Sequence, residues 1–295
     1  MAYVMGLIEY LLFVLLSLFT GDEYFYKFHN SIKSIDVLMG YKRGKIIDSN
    51  AIIFLLSVIT IMRIVIIYCR STVLAFRFTI IGVYLAIFSL RISYMLITVI
   101  FFAMYHRMKF LRKKFEIITI PVTIIGKQKV ASKIRLIRKY LINYHHLLDC
   151  LRDINGGLQY FLAIMIACNL PKYIFFAYSA IKIQVLEHIT IHSAVQNVEM
   201  FEGFLFVVVP AIFAELTTAE VERIIDVINR QLLRCTDEHM ELELKVALEF
   251  IRRRPFDYVI WRTVPLNASL PIAIISLCIT YVVIVIQLTQ FHDNF

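Results

Sequence analysis

Apolar residues fall in long blocks along this chain, separated by polar and basic segments. Crossing a bilayer as a helix takes about 20 apolar residues. Six blocks approach that requirement. Residues 3–20 form the first, with Glu9 as its only charge. Residues 51–69 follow, interrupted by Arg63, and 76–105 carry Arg91 near their middle. Residues 158–181 hold Asn169 and Pro171, 200–216 give a short fifth block, and 264–288 give the last. The first block could also be a signal peptide, but no basic residue precedes it, which favours a membrane helix. Proline is tolerated in a membrane helix when neighbours satisfy the freed carbonyl. Pro171 and Pro271 are therefore expected to kink their helices without breaking them.

Between the blocks the pattern changes to one-sided helical spacing. In 134–151, Ile137, Leu141, Tyr144, Leu148 and Leu151 recur at steps of three and four. Val221, Ile225, Ile228 and Leu232 do so in 217–235, and Met240, Leu244, Ala247 and Ile251 in 240–251. That period predicts amphipathic helices, each needing an apolar partner. They can pack on one another or on sister subunits, or lie on the lipid surface. Their polar faces mix Glu with Lys and Arg, which favours packing.

Composition changes the choice of solvent. The 295 residues are 60% hydrophobic with mean hydropathy +0.74, against about 45–50% apolar in soluble domains. Bilayer hides that excess, and the prediction is an all-α, polytopic membrane bundle. Charge then orients it. Segments 21–50, 106–157 and 217–263 carry five, twelve and eight basic residues, 25 of the 31 in the chain. The intervening loops 70–75 and 182–199 carry only Arg70 and Lys182. Cytoplasmic loops concentrate Lys and Arg, so the three basic segments are expected inside and both termini outside. The net charge of +9 is thereby assigned to contact with anionic lipid, with no nucleic acid as partner.

Other chemistry is sparse. Cys69, Cys150, Cys168, Cys235 and Cys278 show no paired spacing, which argues against a disulfide framework or a zinc site. His188 and His192 stand four apart but lack a third ligand, so no metal is assigned. Asn267-Ala268-Ser269 is a glycosylation sequon on the cytoplasmic side of this topology. No Gly-rich phosphate loop, HExxH or GxSxG occurs; the chain is read as a non-enzyme without cofactor.

The C-terminus carries a pattern of its own. Thr280 and Tyr281 are followed by five hydrophobic residues, Val282 to Ile286, then Gln287 and Leu288. This resembles the ending of the insect gustatory receptors, Thr-Tyr, five hydrophobes and Gln-Phe, with Leu288 in place of the Phe. Residues 144–164, YHHLLDCLRDINGGLQYFLAI, also look like the family's passage from a cytoplasmic helix into the membrane. The resemblance extends over roughly residues 50–295. Family members have seven membrane helices and a cytoplasmic N-terminus. Counted back from the C-terminus, the six spans here match the family's second to seventh. A truncated gene model, an alternative start or a true short form would each give that.

The resemblance implies a ligand-gated, nonselective cation channel, a homo- or heterotetramer with other gustatory receptor subunits in the plasma membrane of a gustatory neuron. Small tastants, bitter compounds first, would be its ligands. Three parts follow: 1–216 as a ligand-sensing bundle with cytoplasmic helices at 106–157, 217–263 as cytoplasmic anchor helices, and 264–295 as the pore helix with a short external tail. Tyr281, Ile284, Gln287 and Leu288 would line the pore, and four Gln287 amides would ring its outer end; an interfacial cap is the plainer role for that amide. Intramembrane ionisable residues are functional candidates by default. Arg91 leads them, with Tyr94 one turn away and Asn169, Tyr173 and Tyr178 on a facing helix. The same residues could instead be a buried Arg paired with a carbonyl and an interfacial tyrosine belt. Three alternatives remain. An odorant receptor would share this architecture. A G-protein-coupled receptor is faintly echoed by Tyr105-His106-Arg107, but has the opposite orientation. A transporter would usually show internal repeats.

Overall fold

The computed structural model describes residues 2–20, 23–41, 78–118, 127–185 and 191–293, with isolated helical positions between 57 and 65. The span expected at 51–69, with Arg63 and Cys69, otherwise lies outside the described residues. So do His188 and the side chain of His192.

Seven helices and one small hairpin make up the described fold. They are α1 (Ala2–Thr20), α2 (Glu23–Met39), α3 (Phe78–Ile117), α4 (Lys127–Val185), α5 (Ile191–Arg234) and α6 (Glu238–Arg253). Strands β1 (Val259–Ile260) and β2 (Val264–Pro265) follow, then α7 (Ser269–Asp293). The chain is an all-α membrane helical bundle. Among the described residues, α3, α4, α5 and α7 are each long and apolar enough to cross a membrane, and α1 contains a shorter apolar run, Met5–Leu18.

Helix length explains where the amphipathic segments went. α3, α4 and α5 have 40, 59 and 44 residues, about 60, 90 and 65 Å at 1.5 Å per residue. A bilayer core takes about 30 Å. Each therefore continues well past its apolar block as one rod. Residues 134–151 belong to α4, and 217–234 to α5, so α5 runs unbroken through the 216–217 boundary. Pro171 and Pro210 both lie inside these helices.

The extensions pack within the chain and are not spread on lipid. Ile137, Tyr144 and Leu151 of α4 are buried, as are Val221 and Ile228 of α5 and Met240, Leu244, Ala247 and Ile251 of α6. α6 lies against α4 and α5. Its ends are well made. Asp237 caps the first turn by accepting from the Met240 amide at 2.9 Å, Glu238 and Glu241 sit at the positive end of the dipole, and Arg252 and Arg253 at the negative end. Arg138 of α4 pairs with Glu243 of α6. This pairing holds the Glu243 carboxyl below its usual range, against the opposing effect of partial burial.

α2 is tied to α3 by a buried bidentate pair. Arg107 donates through Nε to Asp36 Oδ1 at 2.9 Å and through Nη2 to Oδ2 at 2.8 Å. Arg107, part of the faint receptor-signature echo, therefore acts as a structural strut. α2 ends in a Schellman motif, with the Tyr41 amide on Asp36 O and the Gly40 amide on Val37 O. Gly40 has φ +67°, a conformation that costs glycine nothing.

Two expectations about the last span need correction. The helix starts at Ser269, not 264, because Val264 and Pro265 pair with Val259 and Ile260 as an antiparallel hairpin. Pro271 makes no kink. It sits in the first turn, where its missing N–H has no intrahelical partner to lose. Asn267 accepts from the Ser269 amide at 3.1 Å, so the sequon's asparagine caps the start of α7.

Candidate functional site

Helical spacing sets the site. Asn169, Lys172 and Tyr173 are three and four apart on α4, so they share one face; Arg91 and Tyr94 do the same on α3. α1 packs against both helices and brings Glu9 between them. The result is a small polar cavity among α1, α3, α4 and α5, lined by Glu9, Arg91, Tyr94, Asn169, Lys172, Tyr173 and Gly203 among others. It lies about 20 Å along α3 from Phe78.

Glu9 is the hub. It is 2% exposed, and an ionised carboxylate in such a place is unfavourable unless paired and hydrogen-bonded. Three partners meet that need. Lys172 forms an ion pair with one oxygen. The other accepts from the Tyr94 hydroxyl and from Asn169 Nδ2 at 3.0 Å. Asn169 also donates to Met165 O at 2.7 Å, which fixes its amide orientation.

Arg91 is held differently. Its guanidinium carbon lies 5.9 Å from the Tyr94 ring centre and 5.4 Å from that of Phe206, within range of cation–π attraction. Its Nη1 is buried without a hydrogen-bond partner among the described residues, and so is the Tyr173 hydroxyl. A buried unsatisfied donor costs about 1–3 kcal/mol, so two facing one cavity mark a place where an acceptor would be welcome. A Cβ on Gly203 would stand 3.5 Å from Arg91 Nη1; the glycine leaves that wall open. The cavity measures about 60 Å³, room for a few waters or one polar group.

Four of the five sequence-derived ligand candidates, Arg91, Tyr94, Asn169 and Tyr173, thus converge. Tyr178 is half-buried and lies off the cavity. Glu9, Lys172 and Gly203 were missed. The signal for Glu9 was present, since it is the only charge in its apolar block.

Tyr281, Ile284, Gln287 and Leu288 are all exposed on α7. Thr280 donates to Ser276 O at 2.9 Å, bonding its own helix. Of α7's apolar span only 17% is buried, against 33%, 39% and 44% for α3, α4 and α5. Apart from Pro271, its buried residues are Leu270, Ile274, Cys278 and Val282, which recur every four positions as one narrow stripe.

The segment joining α6 to α7 is gripped by side chains. Tyr144 donates to Arg254 O, Thr218 to Phe256 O at 3.1 Å and Gln159 to Val259 O at 3.0 Å. Trp261 and Arg262 at the hairpin tip have φ of 47° and 60°, uncommon for residues with a Cβ. Among the described residues no cluster of His, Cys, Asp or Glu could hold a metal ion.

A comparison with curated proteins finds no match. Residues 3–291 match the family described as 7tm Chemosensory receptor. That match covers nearly every element above, from α1 and its buried Glu9 to the exposed faces of α7, and the chain belongs to the seven-transmembrane chemosensory receptor family.

Proposed function

We propose that this chemoreceptor is a gustatory receptor subunit, a ligand-gated nonselective cation channel of the plasma membrane opened by small tastants. The observation that carries the reading is α7. An apolar helix of 25 residues, about 37 Å long, buries one narrow stripe against its own chain and leaves Ile279, Tyr281, Val283, Ile284 and Leu288 exposed. Four such helices around an axis would shield Tyr281, Ile284 and Leu288 from lipid and bring four Gln287 amides together. Uncharged amides and apolar walls suit a weakly selective pore with a hydrophobic gate. The cavity at Glu9 and Arg91 is the ligand site in this reading, and bitter compounds are the first class to screen. An odorant-receptor subunit is the second reading; the Thr280-Tyr281…Gln287 ending favours taste.

The orientation is testable before any ligand is known. An epitope tag after Phe295 is expected to stain intact insect cells, because the basic segments hold the other side of the bundle inside. Staining only after permeabilisation, with the protein present at the surface, would overturn the orientation and the pore assignment together.

A further inference from the structure

Beside the polar cavity lies a second space of opposite character. It is an apolar crevice of about 390 Å³ between α4, α5 and α7, and no polar atom faces it. Its walls include Ile181, Phe204, Ile274, Cys278 and Val282. Tyr173 and Met200 line both spaces, so they form a shared wall. The Tyr173 ring, edge-on to Phe204 at 5.9 Å, borders the apolar side. Among the described residues its hydroxyl has no partner, and neither has Arg91 Nη1.

The two buried polar atoms of the cavity without a partner among the described residues, Arg91 Nη1 and the Tyr173 hydroxyl, can both donate. Glu9 is neutralised by Lys172 and satisfied by Tyr94 and Asn169. Glu199, which also lines the cavity, has an interaction of its own. A guanidinium nitrogen with an unused N–H, next to a phenol that can donate, matches a carboxylate. The cavity has room for such a head and no more. Tyr173 and Met200 stand between the two spaces, so an aliphatic tail that reached the crevice would pass beside these two side chains.

Resting on the reading of this cavity as the ligand site, we propose that the receptor binds aliphatic carboxylates, with the head at Arg91 and Tyr173 and the chain in the crevice. The chain then lies on Ile274, Cys278 and Val282, the stripe by which α7 holds to its own subunit. Occupancy of the crevice bears directly on how α7 seats, which gives the ligand a route to the pore helix without an intermediary.

The test is binding of radiolabelled octanoate to the purified full chain in nanodiscs, with empty nanodiscs subtracted. Saturable binding is expected. Hexanoate, octanoate and decanoate should compete with affinity rising on the order of fourfold per buried methylene until the crevice is full. Octanol and acetate should compete at least tenfold more weakly than octanoate. Arg91→Gln and Tyr173→Phe should each lower octanoate affinity and narrow its advantage over octanol. Cys278→Phe should shift the preference to shorter chains. Binding no greater than to empty nanodiscs, equal competition by octanol, or affinity unchanged in Arg91→Gln would overturn the proposal. A neighbouring subunit or lipid chain filling the crevice would give the same overturning result, with Cys278→Phe leaving chain preference unmoved. Because the readout is binding, octanoate that binds without current would spare this inference and count against the channel reading. Currents evoked by other compounds, without octanoate binding, would do the reverse.

Discussion

α6 and α7 are consecutive helices with opposite relations to the rest of the chain. α6 is polar overall with one apolar stripe, and that stripe is buried: Met240, Leu244, Ala247, Leu248 and Ile251 face α4 and α5. α7 is apolar all round, yet Ile272, Ile279, Ile284 and Leu288 are exposed. A one-sided helix states where its partner is, whereas a uniformly apolar helix states only that it avoids water. The difference shows in the packing: α6 buries its whole apolar stripe against α4 and α5, whereas α7 meets the rest of its chain through a narrow one.

The sharpest break of that comparison is a matched pair of truncations. Leu244→Ala removes a side chain that is 1% exposed, and is expected to cost about 2–5 kcal/mol. Ile284→Ala removes one that is 43% exposed, and should cost the folded subunit less than about 1 kcal/mol. Thermal unfolding of fluorescently tagged receptor, followed by size-exclusion in detergent, compares the two. Equal losses would mean that α7 is seated as firmly as α6.

Next in size is the junction between them. Tyr144 is fully buried and donates to Arg254 O. Tyr144→Phe keeps the ring and removes the bond, an expected loss of about 0.5–1.5 kcal/mol. If the grip on 254–260 transmits the seating of α6 to α7, this variant should also change the agonist concentration for half-maximal current. A stability loss with an unmoved dose–response would make Tyr144 a packing residue only.

The legibility of these regions follows the same physics. The stripe of α6 was readable because period and polarity agree at Met240, Leu244, Ala247 and Ile251. The convergence of Arg91, Tyr94, Asn169 and Tyr173 was partly readable, because polar groups in apolar blocks seek each other. Glu9 was not assigned to it, since nothing in the local sequence tells which helix α1 will meet. Only the second strand of the hairpin, Val264–Pro265, falls in the span expected at 264–288; the first falls in the cytoplasmic segment 217–263. Val264 and Pro265 are apolar, and their pairing depends on a turn at Trp261 and Arg262 that lacks the glycine or asparagine usual at positive φ. The unbroken length of α4 and α5 was hidden because the hydrophobic pattern changes where lipid ends, while the helix does not.

The smallest expected effect lies on the polar edge of α6, where the comparison predicts a dispensable contact. Arg138 holds the Glu243 carboxyl below its ordinary value near 4.5. A folded-state pKa lower than the unfolded one means that the unfolded chain takes up the proton first as pH falls. The pair's contribution is therefore complete above the unfolded value and disappears as pH drops through the folded one. Arg138 is exposed and the pair is screened by water and salt, so the effect is small. Wild type and Glu243→Gln should differ slightly in melting temperature at pH 6, and the difference should vanish as the pH is taken well below 4.5. A difference that persists at low pH would show that Glu243 supports α6 by packing or by a neutral hydrogen bond, and that the polar edge contributes to the anchor alongside its buried stripe.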